Sequence, residues 1–329
     1  MSDAERQRLV QQHSQLLSAC PWLGPARSWW PRYLFHTTDL LNAVEALRAG
    51  ELLSRNLARG RGLLKTESAS QEVLGMTEDR WKDYVRFYFR PRTPFTYANE
   101  GVRPPFALRF GGAHQPVPIC FVFAIERVLS DSTSLVTPVG LYRQGEVTSD
   151  LSCLAQFPWQ TIYHVGGFAP DERDHVVQHR HAEALVKDRV DLGHAVALIA
   201  CRSAAEHQTL LATLTPAEVA AWGARIAYSP KLNLFHGRWS YVEEVTASRA
   251  RLSFRFNTGS LTPGPFLARV DIGSQGMPFV WQSAAYTTSL QPLDLSLDKL
   301  PNPGAYSYTL TLDGHIACTG RYDENQLPF

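Results

Sequence analysis

Glu183 is the residue of this chain whose sequence surroundings are best suited to chemistry. It lies in the polar stretch His175–Leu185, where three histidines and Arg180 come close to one carboxylate. The spacing in this stretch predicts the start of a helix or a turn into one. A glutamate beside arginine and histidine, between apolar segments, is a candidate for acid–base or charge-stabilising work. The alternative is a solvated surface that carries an ordinary glutamate.

Several well-known catalytic motifs are missing from the sequence. It has no GxGxxG, P-loop, HExxH or GxSxG pattern. Dinucleotide binding on a Rossmann fold and P-loop phosphoryl transfer therefore lose their main sequence support. His175 and His179 stand four residues apart and could share a helix face, as zinc ligands do. No third ligand is indicated, and we expect no metal.

The composition sets limits on the class of protein. The 329 residues are 44% hydrophobic and 19% charged, with a formal net charge of +1. This is typical of a soluble globular protein with one or two domains, and any basic surface for nucleic acid must be local. The five cysteines form no CxxC pair, which favours free thiols in a reducing compartment. No apolar run reaches the roughly 18 residues of a membrane span, so we expect a cytoplasmic protein.

The elements that must position Glu183 alternate between helix and strand up to about residue 230. Apolar periodicity predicts helices at 3–20, 40–50 and 215–226, the second capped by Thr38 or Asp39 and ended by Gly50. Strands are predicted at 33–36, 83–89, 119–125, 160–165 and 195–200. The arginine-rich stretch Glu51–Lys65 shows little periodicity and is predicted as a basic loop.

The sequence changes character after about residue 230. Short alternating runs follow at 251–256, 266–272, 279–282, 307–312 and 315–322. LDG at 312–314 stands between two of them and predicts a hairpin. The predicted fold class is α+β, with a mixed α/β domain at 1–230 followed by a small all-β, sandwich-like domain at 231–329.

Polar side chains stand at the ends of the predicted strands. His36 and Thr38 close the first strand, and Tyr88 and Arg92 lie around the YFRPR stretch that ends the second. Each has a structural alternative when taken singly. His36 would then be a satisfied core histidine, Tyr88 a packing residue and Arg92 part of a loop-pinning ion pair.

Three blocks of sequence follow one another along the chain: LFHTTDLLNAVEALRAGELLSRN at 34–56, DYVRFYFRPRTPFTYANEG at 83–101 and RHAEALV at 180–186. In this order they resemble the DarT family of DNA ADP-ribosyltransferase toxins. In that family the blocks hold a His-x-Thr strand-to-helix start, a YFxPRxP element and the catalytic glutamate. The resemblance covers about residues 30–215 and implies an ADP-ribosyltransferase-like fold there. The β-rich end has no counterpart in it.

The resemblance implies roles for individual residues. Glu183 would be the catalytic glutamate, and Arg92 would act with it. The residues expected to bind NAD+ are His36, Thr38, Asn42, Tyr88, Arg55 and Arg80. The family also has an essential arginine upstream of the YFxPRxP element, which aligns here with any of Arg55, Arg59, Arg61 and Arg80.

The activity implied is NAD+-dependent mono-ADP-ribosylation of a base, guanine or thymine, in single-stranded DNA. The sequence RPRTPFTYANEG at 90–101 is closer to that of the guanine-modifying group of the family. Cleavage of the nicotinamide–ribose bond builds positive charge that a carboxylate can stabilise, and an unpaired base is reachable without opening a duplex. Charge and stacking for the DNA would come from aromatics near the second block and from Arg55, Arg59, Arg61, Arg86, Arg90 and Arg103.

The resemblance also implies a biological setting and leaves alternatives open. The protein would be the toxin of a toxin–antitoxin or phage-defence system, with a macrodomain antitoxin as partner. The same chemistry could act on RNA or on a protein, with the acceptor chosen by the loop at 90–118. A catalytically dead nucleic-acid-binding module is the other alternative.

Overall fold

The computed structural model describes residues 2–69, 71–108, 114–143, 145–288 and 291–325 of the chain. The helices are α1 (Asp3–Ser18), α2 (Leu40–Ala49), α3 (Arg55–Gly60), α4 (Gln71–Met76), α5 (Pro94–Asn99), α6 (Ile125–Leu129), α7 (Trp159–Ile162), α8 (Arg173–His179), α9 (Leu192–Ala195), α10 (Ala204–Thr213) and α11 (Pro216–Trp222). None of the helices within these ranges is both long and apolar enough to cross a membrane.

The strands of the first 230 residues are β1 (Tyr33–Asp39), β2 (Glu51–Leu53), β3 (Tyr84–Tyr88), β4 (Pro118–Ala124), β5 (Leu135–Thr137), β6 (Glu183–Lys187), β7 (Arg189–Asp191), β8 (Val196–Cys201) and β9 (Ile226–Tyr228). Those that follow are β10 (Val242–Ala247), β11 (Arg251–Phe256), β12 (Phe266–Ser274), β13 (Met277–Tyr286), β14 (Leu293–Ser296), β15 (Ala305–Leu312) and β16 (His315–Asp323).

A seven-stranded sheet forms the centre of the first part of the chain, in the order β5-β6-β3-β1-β4-β8-β9. Neighbouring strands are antiparallel except β8 and β9. Ile119 to Phe123 of β4 are buried throughout, which explains why this strand is a continuous apolar run instead of an alternating one. The strands predicted at 33–36, 83–89, 119–125 and 195–200 are confirmed as β1, β3, β4 and β8.

The junction between β1 and α2 follows the local sequence signals. The Asp39 carboxylate accepts from the backbone N–H of Leu41 at 3.2 Å and caps the helix. Gly50 has a φ of 67°, the left-handed conformation that ends a helix and that glycine adopts without strain. Of the two predicted caps, Thr38 and Asp39, the structure has Asp39, and the predicted stop at Gly50 is confirmed. Together they fix the end of β1 beside the start of α2.

Three local predictions are wrong. The stretch 51–65 is not a loop throughout, because Glu51–Leu53 pairs with β7 and Ser54 caps α3. The predicted strand at 160–165 overlaps the short helix α7, whose Trp159 and Ile162 are buried three residues apart. Helix α8 ends at His179, and Glu183 begins strand β6 instead of continuing a helix. In each case long-range pairing or a single turn overrides the local pattern.

The C-terminal part is formed by two sheets, in the orders β10-β11-β14 and β13-β12-β15-β16. Alternating residues of β11, β12 and β15 share one apolar core, so the predicted sandwich-like arrangement is confirmed. Asp313 and Gly314 have φ values of 49° and 80° and form a two-residue hairpin turn, as LDG predicted. Val102 and Ala205 of the preceding part also belong to this core. The domain division at 230/231 stays a prediction.

A buried ionic cluster joins the two parts of the chain. The Arg202 guanidinium contacts Glu100 at 3.2 Å from Nη1, pairs with Glu206, and lies 4.0 Å from the centroid of the Tyr241 ring. Ser203 donates to the backbone carbonyl of Val242 at 2.7 Å. The start of the C-terminal part is therefore fixed to β8 and α10 by polar contacts inside the protein.

Candidate active site

A cavity of about 1150 Å³ lies against β1, β3 and β6. Its walls also include residues of α2, α3, α5 and α8, together with residues 236–239. Sites for one small molecule usually occupy roughly 300–1,000 Å³. This cavity therefore has room for a dinucleotide and a further group.

Glu183 lies at this cavity and is held by an arginine of the neighbouring strand. It is 1% exposed and pairs across the sheet with Tyr88. Arg86 donates from Nε to Oε2 at 2.7 Å and from Nη2 to Oε1 at 2.8 Å. Side chains two residues apart on a strand share a face, so β3 presents Arg86 and Tyr88 together. The bidentate pair fixes the direction of the carboxylate.

The electrostatics of this pair follow from its burial. Burial raises the pKa of the Glu183 carboxyl, and the Arg86 guanidinium opposes that rise. Burial works against a charged Arg86, but the Glu183 charge raises the pKa of the guanidinium above its ordinary value. Burial and the Glu183 charge also raise the pKa of Tyr88, whose phenol stays protonated. A fixed carboxylate out of water interacts strongly with positive charge that develops nearby.

His36, Thr38 and Asn42 line the cavity but make different contacts. His36 Nδ1 lies 2.9 Å from the backbone carbonyl of Arg86, and burial lowers the pKa of the imidazole. A neutral ring that donates from Nδ1 keeps Nε2 as an acceptor. The Asn42 side chain instead holds a loop, donating to the Thr66 carbonyl at 2.8 Å and accepting from its N–H at 3.0 Å.

The candidates for the upstream arginine are spread over the surface and the cavity. Arg55 lines the cavity and pairs with Glu67. The Arg80 side chain is 66% exposed and pairs with a neighbouring glutamate, outside the cavity lining. Arg59 and Arg61 also lie outside that lining. The structure thus brings Arg55 together with His36 and Glu183 and leaves Arg80 apart.

Arg92 adds a further guanidinium to the cavity. Its φ of 56° places this non-glycine residue in the left-handed region. Nη1 donates to the Asn233 side-chain oxygen at 2.7 Å, whereas Nε has no hydrogen-bond partner among the described residues. Arg180 lines the same cavity and donates to the Gly166 carbonyl at 3.0 Å. These cations suit an anionic ligand such as a phosphate.

Two of the arginines expected to contact DNA are structural. Arg90 is 4% exposed and donates from Nη1 to the carbonyls of Ile162 at 2.9 Å and His164 at 2.6 Å. Arg103 is 1% exposed, with its guanidinium 4.4 Å from the centroid of the Trp239 ring. The prediction that Arg90 and Arg103 supply surface charge is wrong, because both are buried, although they also line the cavity.

Sequence reasoning missed two contributors to the cavity. The sequence predicts only local charge at Arg86, although the alternation in DYVRFYF places it on the same strand face as Tyr88. The other is the segment 236–239, of which His236, Arg238 and Trp239 line the cavity. No local pattern points to this segment, since its position depends on contacts with residues far away in sequence.

Two histidines of α8 stand one helical turn apart, as zinc ligands can. The rings of His175 and His179 lie 4.7 Å apart between centroids, and His179 Nδ1 is 2.9 Å from the carbonyl of Pro138. Over the described part of the chain, no three His, Cys, Asp or Glu side chains are grouped so that they could hold a metal ion.

Comparison with known proteins matches residues 35–231 to the model of one family, described as "ssDNA thymidine ADP-ribosyltransferase, DarT". Among solved structures, DarT of Thermus sp. 2.9 in complex with ADP-ribosylated ssDNA is 19% identical, with a TM-score of 0.49, over 63% of this chain and 97% of that chain. Its complex with NAD+ is 19% identical, with a TM-score of 0.47, over 63% and 98% of the two chains. No curated protein matches the chain.

Proposed function

Because this chain belongs to the DarT family and is an NAD+-dependent DNA ADP-ribosyltransferase, we propose that the cavity around Glu183 binds NAD+ and one unpaired DNA base. The observation that carries the proposal is the buried Glu183 carboxylate, fixed at the cavity by two hydrogen bonds from Arg86. Such a carboxylate needs no reorganisation when positive charge develops beside it.

The reaction replaces one bond to the anomeric carbon of ribose by another. The bond to nicotinamide breaks, and nicotinamide leaves as a neutral molecule with the bonding electron pair. The Glu183 carboxylate stabilises the positive charge left on the ribose. A nitrogen of the acceptor base forms the new bond and releases its proton to Glu183. Arg86 acts through Glu183 by fixing the orientation of its carboxylate.

The NAD+ contacts are assigned from the cavity walls. His36, Thr38 and Tyr88 surround the place of the nicotinamide end, where the neutral His36 offers Nε2 as an acceptor. Arg55 and Arg92 supply guanidinium groups for the pyrophosphate, and by binding it Arg92 would position NAD+ for the reaction at Glu183. Asn42 acts indirectly in this assignment, through the loop it holds. Arg80 would reach NAD+ only after leaving its glutamate partner.

The acceptor base is proposed to be guanine, with thymine as the second candidate. The wording RPRTPFTYANEG at 90–101 favours guanine, whereas the family description names thymidine. Arginine lines the cavity at several positions, and its two parallel donors pair well with guanine O6 and N7. The segment 90–118 is not a loop throughout, because it contains helix α5. It remains the proposed determinant of this choice, and its residues 109–113 lie outside the described part of the chain.

One transfer assay tests the proposed function. The protein is incubated with labelled NAD+ and separate pools of single-stranded DNA, the same sequence as duplex, RNA and protein. We expect label in single-stranded DNA above all, and in oligonucleotides containing guanine but lacking thymine. Label confined to protein or RNA would establish one of the alternative acceptors. If NAD+ is not consumed with any pool, the catalytically dead nucleic-acid-binding module is the alternative that remains.

We also propose that the protein acts as a toxin whose mark a macrodomain partner removes. A base carrying ADP-ribose cannot pair normally, so modification would block replication. Expression of the wild type should stop growth, whereas Glu183→Gln should not. Co-expression of an active macrodomain hydrolase should restore growth together with unmodified DNA, and growth restored with the mark still present would contradict this role.

A further inference from the structure

The C-terminal part of the chain contributes an exposed arginine to the rim of the active cavity. Residues after 231 lie beyond the family match, yet Arg238, Trp239 and Leu261 line the cavity. We propose that Arg238, Tyr97 and Leu261 form a subsite, called the rim subsite below, that binds the nucleotide next to the modified base. The inference rests on the proposed function and extends it to the DNA strand.

The segment that carries Arg238 is held firmly in place. The buried Glu100 carboxylate accepts from the backbone N–H groups of His236 and Gly237, both at 2.7 Å. Trp239 Nε1 donates to the carbonyl of Tyr97 at 2.9 Å. Backbone and side chain are thus tied to α5 on both sides of Arg238. The rim subsite is therefore a fixed part of the cavity wall.

The groups of the rim subsite match the parts of a nucleotide. The Arg238 guanidinium is exposed and lies 5.1 Å from the centroid of the Tyr97 ring, within reach of a cation–π contact. Tyr97 is 39% exposed, with its ring held at 86° to that of His236. Leu261 is exposed, and its backbone N–H donates a hydrogen bond to the Arg238 carbonyl at 2.9 Å. An exposed guanidinium suits a phosphate, and a fixed exposed ring suits a base.

The position of the rim subsite favours DNA over NAD+ as its ligand. The reactive end of NAD+ must reach Glu183, which is buried, whereas Arg238 and Leu261 are exposed. A strand that delivers one base to the interior must leave its neighbouring nucleotides at the exposed rim. The net charge of the chain is only +1, so a local cation here directs the strand more than the whole-protein charge does.

Three variants test the rim subsite: Arg238→Ala, Tyr97→Ala and, as matched control, Arg321→Ala. Arg321 is an exposed arginine of the same C-terminal part, on β16 and outside the cavity lining. Binding of a labelled single-stranded oligonucleotide is measured over a salt series, with NAD+ affinity measured separately by calorimetry.

We expect Arg238→Ala to reduce the log–log salt slope by about 0.7, the loss of one phosphate contact. Tyr97→Ala should raise the DNA Kd at least about fivefold through lost stacking. Arg321→Ala should match the wild type, and NAD+ Kd should not change in any variant. Arg238→Ala with the slope and Kd of Arg321→Ala, or with weakened NAD+ binding instead, refutes the rim subsite while the proposed function stands. A wild type that neither binds nor modifies single-stranded DNA refutes both.

Discussion

Replacement of Glu183 by glutamine would separate the charge of this side chain from its shape. In the wild type both carboxylate oxygens accept from Arg86, at 2.7 and 2.8 Å. Glutamine offers one oxygen and one NH2 group, so its NH2 faces an Arg86 donor and one hydrogen bond is lost. A hydrogen bond to a charged group contributes about 1.5–3 kcal/mol, part of which is offset because a buried charge disappears. Tm should fall by several degrees at most.

The catalytic cost should be larger and should fall on a different quantity. Positive charge on the ribose exists only in the transition state, so its loss of stabilisation lowers kcat and leaves NAD+ binding nearly unchanged. An acid–base and charge-stabilising role corresponds to roughly 10²–10⁴-fold in rate, or about 3–5 kcal/mol.

Glu206→Gln is the matched control for this experiment. Glu206 is also fully buried and paired with an arginine, Arg202, but lies outside the cavity lining. Both variants should lose stability in thermal unfolding, and only Glu183→Gln should lose turnover at saturating NAD+ and DNA. Near-normal turnover by Glu183→Gln, or equal loss in both variants, would refute the assignment of Glu183.

Three further predictions concern other residues of the protein. His36→Ala should weaken NAD+ binding, measured by calorimetry, with little change in Tm. Because burial lowers the pKa of His36, the NAD+ affinity of the wild type should stay constant as pH falls through 6.5, the ordinary pKa of histidine. A fall in affinity centred there would contradict a neutral buried ring. Arg90→Ala should lower Tm, because the carbonyls of Ile162 and His164 lose their donor. The salt slope of DNA binding should not change, and a reduced slope would show that Arg90 contacts a phosphate after all. Burial raises the pKa of Glu206 from 4.5 to about 7, so the folded state binds more protons than the unfolded state between these values. The stability contributed by this protonation is present below pH 4.5 and lost as pH rises through 7. The Tm of the wild type relative to Glu206→Gln should therefore fall over this range, and a constant difference would contradict the shift.

The elements that depend on neighbouring residues could be predicted from the sequence. The apolar run of β4, the Asp39 cap, the Gly50 stop and the turn at 312–314 each depend on a few consecutive side chains, and each prediction holds. The prediction of a loop at β2 was wrong because these three residues form a strand only by pairing with β7. Its partner is more than a hundred residues away, and no local pattern records that pairing.

The same distinction applies to the candidate site. Glu183 and His36 could be found because their blocks resemble a family, and both lie at one cavity. The environment of Glu183 could not be found, since Arg86 is 97 residues away and meets it only through the register of β3 and β6. The prediction that Arg90 and Arg103 supply surface charge was wrong for a related reason. A sequence of basic residues does not reveal which guanidinium groups turn inward to satisfy backbone carbonyls or stack on a buried ring.

The ionic cluster of Glu100, Arg202 and Glu206 has a consequence for how this protein could be shortened or recombined. Deletion of the chain after residue 231 would remove the two backbone donors of Glu100 at 236 and 237 and the Tyr241 ring from Arg202. The Glu100 carboxylate would then depend on Arg202, whose guanidinium it already shares with Glu206, and two carboxylates would compete for one cation. A transferase from which the C-terminal sheets are trimmed, or onto which another extension is grafted, must therefore change these three residues as well.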